Sequence, residues 1–223
     1  MRNEIIHATL DFTGENIYKS WYYFLSTLVL MIVAFYGTYW LPGTIAKVLC
    51  SLLAGMLTSR MFVIYHDFRH EAILRKSKIA KAVMTAFGIL TLAPASIWDE
   101  THQHHHNNNS KFSTIVVGSF PTITTETYKR YTTAQRRWYL ALRHPLIVLF
   151  AYIPIFLVSF CLWPFFENPK RYYDCGLAAL LHGLVIWILY FSGGWSMVLY
   201  SIVLPCLVMF AVGGYIFYAQ HNF

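Results

Sequence analysis

Two short segments, His66-Asp67-Phe68-Arg69-His70 and His102-Gln103-His104-His105-His106, hold six of the ten histidines in this chain. An α-helix turns once in about 3.6 residues, so positions i and i+4 share a face. His66 and His70 stand at that spacing. His102, His105 and His106 stand at i, i+3 and i+4, while His104 points elsewhere. Neutral imidazole is a ligand for zinc, copper, iron and nickel. Two groups of two and three exceed the roughly four ligands of one tetrahedral site. The count favours a dinuclear centre, or one site with idle histidines. A His-rich run can also be a flexible loop that binds metal adventitiously.

The elements that must hold these imidazoles are membrane-like. Of 223 residues, 57% are hydrophobic and 12% charged, against about 25% charged in ordinary soluble domains. The net charge of +7 is uneven: 12 of the 17 Lys and Arg lie between Arg60 and Arg143, and none beyond Arg171. Flanked by lipid-length segments, this basic stretch fits the positive-inside rule and not a nucleic-acid surface, which places residues 66–143 in the cytoplasm. Cys50, Cys161, Cys175 and Cys206 form no Cys-x-x-Cys pair and read as small buried hydrophobes. Met1 to Ser20 is polar, without the apolar core of a secretory signal.

In chain order, Trp21 to Leu41 and Thr44 to Tyr65 are each long enough to cross a bilayer and are joined by Pro42-Gly43, since crossing takes about 20 residues. This hairpin delivers His66 and His70 to the face from which it started. Ala82 to Trp98 contains Gly88 and Pro94 and reads as an interfacial or half-buried helix. Pro145 to Phe166 reads as a third span. Cys175 to Phe223 has no charged side chain and divides at Ser192-Gly193-Gly194. If both halves crossed after a span at 145–166, His221 would land opposite His66. One span within 176–218 is therefore expected, the other piece being re-entrant or interfacial; Pro205 would break the second piece in its middle, consistent with a half-embedded start. The expected fold is all-α: a multi-pass membrane protein of about four spans in two hairpins, with interfacial helices and a cytoplasmic histidine region.

His66-Asp67-x-x-His70, then Trp98-x-x-x-His102-x-x-His105-His106, then Gln220-His221-Asn222-Phe223 together resemble the integral-membrane fatty acid desaturases, most closely the bacterial acyl-lipid group. Gly118-Ser119-Phe120-Pro121 and Arg143-His144-Pro145 are similar too. The resemblance covers nearly the whole chain. It implies a di-iron centre, with His66, His70, His102, His105, His106 and His221 as ligands. It implies an oxidoreductase of fatty acid biosynthesis in the bacterial inner membrane, acting on a membrane lipid or other fatty acyl substrate. Its electrons would come from a separate donor such as ferredoxin or a haem cytochrome. The family's further His-x-x-His-His is not among these 223 residues. The chain by itself is accordingly expected to insert into membranes without desaturating lipid.

A methylene C–H has no useful acidity, so side-chain acid–base chemistry cannot remove it, and a metal must supply that step. All-histidine ligation calls for carboxylates that fix the rings, and Asp67, Glu71, Asp99 and Glu100 are near enough in sequence to do so. Membrane hydroxylases and carotenoid oxygenases with similar histidine boxes are the nearest rivals. A His-rich metal transporter is the rival from another class, but transport calls for ionisable residues inside spans, and beyond Pro145 only His182 qualifies. His182 reads as a satisfied core histidine.

Overall fold

The computed structural model of the protein describes residues 14–108, 123–150 and 152–221, and the side chains of His105, Asn108, Val148, Tyr152 and 217–221 lie outside that description. The described residues are helical, with no strand. Asn16 caps α1 (Ile17–Trp40), its Oδ1 accepting from Lys19 N at 3.1 Å. Gly43, at φ 86°, makes the turn into α2 (Thr44–Arg69). Both helices exceed the length a bilayer requires. Small residues let them approach closely: Ala34 and Ala54 are buried between them, and a Cβ on Gly37 would meet Cys50 Sγ at 2.5 Å. The outer face of α1 presents Val29, Ile32, Val33 and Tyr36, all exposed, as a lipid-facing surface does.

The expected single helix at 82–98 is two. Ser77 caps α3 (Lys78–Leu90), the chain breaks at Thr91 to Pro94, and α4 (Ala95–Asn108) leaves at 86°. Leu92 takes a left-handed φ of 59° at the break and is fully buried. Tyr65 Oη donates to Ala93 O at 3.0 Å and so pins the break to α2. Gly88 leaves room for that phenol, since a Cβ there would lie 2.8 Å from Tyr65 Oη.

Further along come α5 (Thr125–Arg130), α6 (Thr133–Leu142) and α7 (Pro145–Leu149). A π-helical stretch, Tyr152–Leu162, and α8 (Trp163–Glu167) follow. The uninterrupted span expected at 145–166 is thus broken. Its apolar helical part, Ile153–Glu167, measures about 22 Å at the helical rise, short of the roughly 30 Å hydrocarbon core. Pro154 lies inside the π-helical stretch and removes an amide donor from its ladder. Ser159 Oγ donates to Pro154 O, at 2.8 Å, in the widened turn.

The end of the chain makes up the difference. Tyr173–Ile216 is a helical run of 44 residues, about 66 Å if straight, or two bilayer crossings. It comprises α9 (Tyr173–Val198), a π-helical stretch Leu199–Val203 and α10 (Leu204–His221). Helical dihedrals fail at Gly193 (φ −163°, ψ 19°) and Gly194 (φ 68°, ψ −165°). His182 and Val185 before that break line the same cavity as Ile202 and Cys206 after it. Positions 182 and 206 are equidistant from 194, so the chain folds back there. Ser51 Oγ donates to Tyr200 O at 2.6 Å and Ser59 Oγ to Met209 O at 3.5 Å, sequence separations of 149 and 150. A constant separation means α10 runs parallel to α2. On that register the backbone of His221 ends level with residues 71–72, just past His70. Pro205 does not end the helix: the turn before it widens into the π-helical stretch Leu199–Val203, and α10 runs on to His221.

Among the described residues three helices are long and apolar enough to cross a membrane, or up to four if α3 and α4 count as one bent span. The protein is an all-α, multi-pass membrane protein. Gly194 occupies a backbone conformation that only glycine adopts without strain, so Gly194→Ala should destabilise it by about 1–3 kcal/mol. Gly183 is helical and has open space where a Cβ would sit, with no neighbouring atom within 4 Å. It should tolerate alanine within about 1 kcal/mol. Denaturant unfolding of both variants in detergent micelles checks this; equal effects would remove Gly194 as the turn.

Candidate metal centre

The last turn of α2 carries His66 and leads into His70, and α4 carries His102 and His106, one turn apart on one face. The break between α3 and α4 folds the second pair onto the first. One nitrogen of each of the four imidazoles lies within 4.8 Å of those of the other three. His70 Nε2 stands 2.8 Å from His102 Nε2, which stands 3.0 Å from His106 Nε2. Nitrogens bound to one ion at about 2.0–2.1 Å stand about 3.0–3.4 Å apart when adjacent, so small ring rotations suffice. Four imidazoles without a carboxylate suit iron, zinc, copper or nickel and disfavour calcium or magnesium. The donor set therefore fits a transition metal. Among the described residues it is the one group of histidine, cysteine and carboxylate side chains gathered in this way.

The neighbours orient the rings. His66 Nδ1 donates to Asp67 Oδ1 at 3.0 Å, which fixes the tautomer and leaves Nε2 to face the group. Trp98 stacks on His102, with centroids 5.0 Å apart and planes 19° apart. Trp98 in turn packs edge-on against Phe62 at 5.0 Å and touches Tyr65 at 6.1 Å. Burial holds the His70 pKa below its ordinary value, and the charges that His66 and His106 would carry push it the same way. Its neutral form, the one that binds metal, is thereby favoured.

The other expected residues lie as follows. The side chain of His105 is outside the described residues, as is that of His221, whose backbone ends α10. His104 is exposed and outside the group of four. Glu71 leaves α2 with φ 56° and acts on Arg69 through its charge. Asp99 and Glu100 bind arginines and not imidazoles: Asp99 accepts from Arg69, and Glu100 from Arg171 Nη2 at 2.8 Å and Tyr172 Oη at 2.9 Å. Asp174, at the start of α9, accepts from Ser96 N at 3.0 Å. Arg69, Arg171 and Asp174 carry no spacing signal. Trp98 does, since it precedes His102 by one i, i+4 step. His182 is buried and bonded to the backbone of Leu90, and His144 caps α7 through Leu146 N.

Metal content of the purified protein tests the geometry. His70→Ala and His102→Ala should each weaken binding at least about tenfold, while His104→Ala should leave it nearly unchanged. An equal loss from all three would make the second group an unstructured metal-binding run.

No solved structure matches. A curated fatty acid desaturase of Bacillus subtilis (strain 168) is 25% identical over 173 residues, which are 77% of this chain and 49% of the relative. The chain thus spans about half the length of the curated relative it matches. The family model for fatty acid desaturases matches residues 42–223, from the turn before α2 through both histidine groups and the α9–α10 hairpin. With most of its length inside that match, the chain belongs to the fatty acid desaturase family.

Proposed function

We propose that this protein acts in a membrane di-iron oxidoreductase that introduces a double bond into a fatty acyl chain. The convergence of four imidazoles from two separate helices, within 4.8 Å, is the observation that supports it. The balance of the reaction requires molecular oxygen, two electrons and two protons. The two hydrogens leaving adjacent methylenes bring the total to that of two waters. Bound iron would supply the oxygen chemistry that side chains cannot. His66, His70, His102 and His106 would hold one ion. His105 and His221 are proposed for the second, the backbone of His221 being level with the turn that follows His70. An external one-electron carrier, a ferredoxin or a haem cytochrome, would deliver the electrons. The histidine face is proposed to be the cytoplasmic side of a bacterial inner membrane, because the basic residues cluster there.

The chain's own contribution is to hold the ligands and exclude water from an apolar substrate. A cavity of about 240 Å³ lies beneath the centre, lined by Met31, Phe35, Phe87, Leu92, Val185 and Met209 among others. Of its polar lining groups, Thr58 donates to Ala54 O, Thr91 donates to Phe87 O, Ser201 is bonded to Thr38, and His182 is bonded to the backbone of Leu90. A lining made mostly of apolar side chains selects hydrocarbon. Phe87 belongs to its wall and packs on Tyr65 at 5.8 Å, Tyr65 packs on Trp98 at 6.1 Å, and Trp98 stacks on His102, so a relay of aromatic rings lies between the cavity and the histidines. An acyl tail here would be held dry below the metal.

Replacing His70 with alanine at the native locus should lower one class of unsaturated fatty acid at least about tenfold, read by mass spectrometry of total lipid, if the ligand is lost. Accumulation of a hydroxylated chain in the parent would favour a hydroxylase, and an unchanged profile would end the proposal. Val185→Phe narrows the cavity and should shift the products toward shorter acyl chains. A cysteine at Ser77 should react with an impermeant thiol reagent only from the cytoplasm. Labelling from outside would reverse the proposed orientation.

A further inference from the structure

The two halves of the histidine group sit on different helices, and among the described residues one ion pair, Arg69–Asp99, spans the gap between them. Arg69 Nε donates to Asp99 Oδ1 at 2.8 Å, and its Nη2 donates to Asp99 Oδ2. Arg69 immediately precedes His70. Asp99 precedes His102 by three residues and so shares its face of α4. The guanidinium fork grips both carboxylate oxygens, which fixes rotation as well as distance, as a lysine could not. The two bonds of the fork run between these side chains and not to a histidine ring.

Glu100, the next residue, turns about 100° away along the helix and is held by Arg171 and Tyr172. Two neighbouring acids thus tie α4 in two directions, one to α2 and one to the approach to α9. Only the Asp99 tie faces the centre. It lies within one turn of both nitrogens of the 2.8 Å His70–His102 contact.

We propose that Arg69 and Asp99 form a positioning pair that keeps the two halves of the histidine site in register, acting through α2 and α4 without binding metal. The proposal rests on the assignment of His66, His70, His102 and His106 to a metal. A slip of α4 about its axis would carry His102 and His106 off the ring of four. Outer residues that orient ligands typically contribute about 10–100-fold in metal affinity, and this pair should fall in that range.

Cobalt(II) titration of the full chain in nanodiscs tests it, reading both the dissociation constant and the ligand-field absorption band. Arg69→Gln and Asp99→Asn should each weaken cobalt binding about 10–100-fold and weaken the ligand-field band as water replaces a displaced imidazole. Arg69→Lys should recover little of the loss. The reversed pair, Arg69→Asp with Asp99→Arg, should recover at least about tenfold over either reversed single variant, which distinguishes registration from general damage. Thermal unfolding of the metal-free protein is measured alongside. Loss of thermal stability with the parent's affinity and spectrum would overturn the proposal, as would absence of recovery in a folded reversed pair. Cobalt binding by the parent that His70→Ala does not weaken would instead overturn the four-histidine site itself.

Discussion

The approach of His70 Nε2 to His102 Nε2, at 2.8 Å across 32 residues, constrains the rest of the molecule. Both imidazoles must end on one face of the membrane, so the intervening chain cannot cross it once. The 86° bend between α3 and α4 turns the chain back toward the first pair of histidines. Inside an apolar medium a bend exposes backbone groups that need partners. Ala93 O takes the Tyr65 hydroxyl and Ala93 N donates to Gly88 O at 2.8 Å. Cys161 Sγ approaches Leu92 O at 3.6 Å. The irregular backbone is thus enclosed by protein and kept from lipid.

The same requirement of one face reaches the end of the chain. The α9–α10 hairpin begins beside Ser96, reaches the level of Ser51 near Tyr200, and returns in parallel with α2. Gly194 makes the reversal possible because its dihedrals exclude other residues. Polar contacts among the spans are few and short-sided: Thr38 with Ser201, and Ser51 with Tyr200 O. Close packing of small residues does the remainder, as at Gly55, where a Cβ would meet Pro205 O at 2.7 Å and Val208 at 2.6 Å. These contacts set the depth of α10 relative to the histidines on α2.

What could be read from the sequence follows from periodicity and hydropathy. The i, i+4 steps His66–His70 and His102–His106 place four imidazoles on two faces, and that much is local. The two opening spans are equally local, being uncharged over most of their length and long enough for a bilayer. Hydropathy does not register how a helix is broken, however. Residues 145–166 and 195–218 are about equally apolar, yet the first is divided into α7, a π-helical stretch and α8, while the second runs on from its π-helical stretch through Pro205 to His221. Exchange of a crossing between those segments preserves the parity of the chain, so composition alone could not decide between them. Asp99 and Glu100 are near the histidines in sequence, and that proximity suggests a role as ring partners. Their actual partners, Arg69 and Arg171, lie 30 and 71 residues away, and no pattern announces a contact of that range.

The Arg69–Asp99 pair also illustrates why geometry and stability are separate arguments. Its side chains are 22% and 46% exposed, and ion pairs with that much water nearby usually contribute about 0–1 kcal/mol. So small a contribution does little to hold α2 against α4, which the packing of Phe62, Tyr65 and Trp98 already achieves. Hydrophobic packing is tolerant of rotation, because apolar contact has no preferred direction. A metal centre is not tolerant: ligands displaced by about half an ångström or turned by about 20° no longer converge. The directional element has to come from hydrogen bonds, and the fork at Arg69 supplies two of them next to the ligands. The aromatic layer beneath sets how close the helices come, and the ion pair above sets how α4 is turned. The first can be altered at a cost in stability with the ring of four intact, whereas the second, though energetically slight, bears directly on whether four imidazoles share a point.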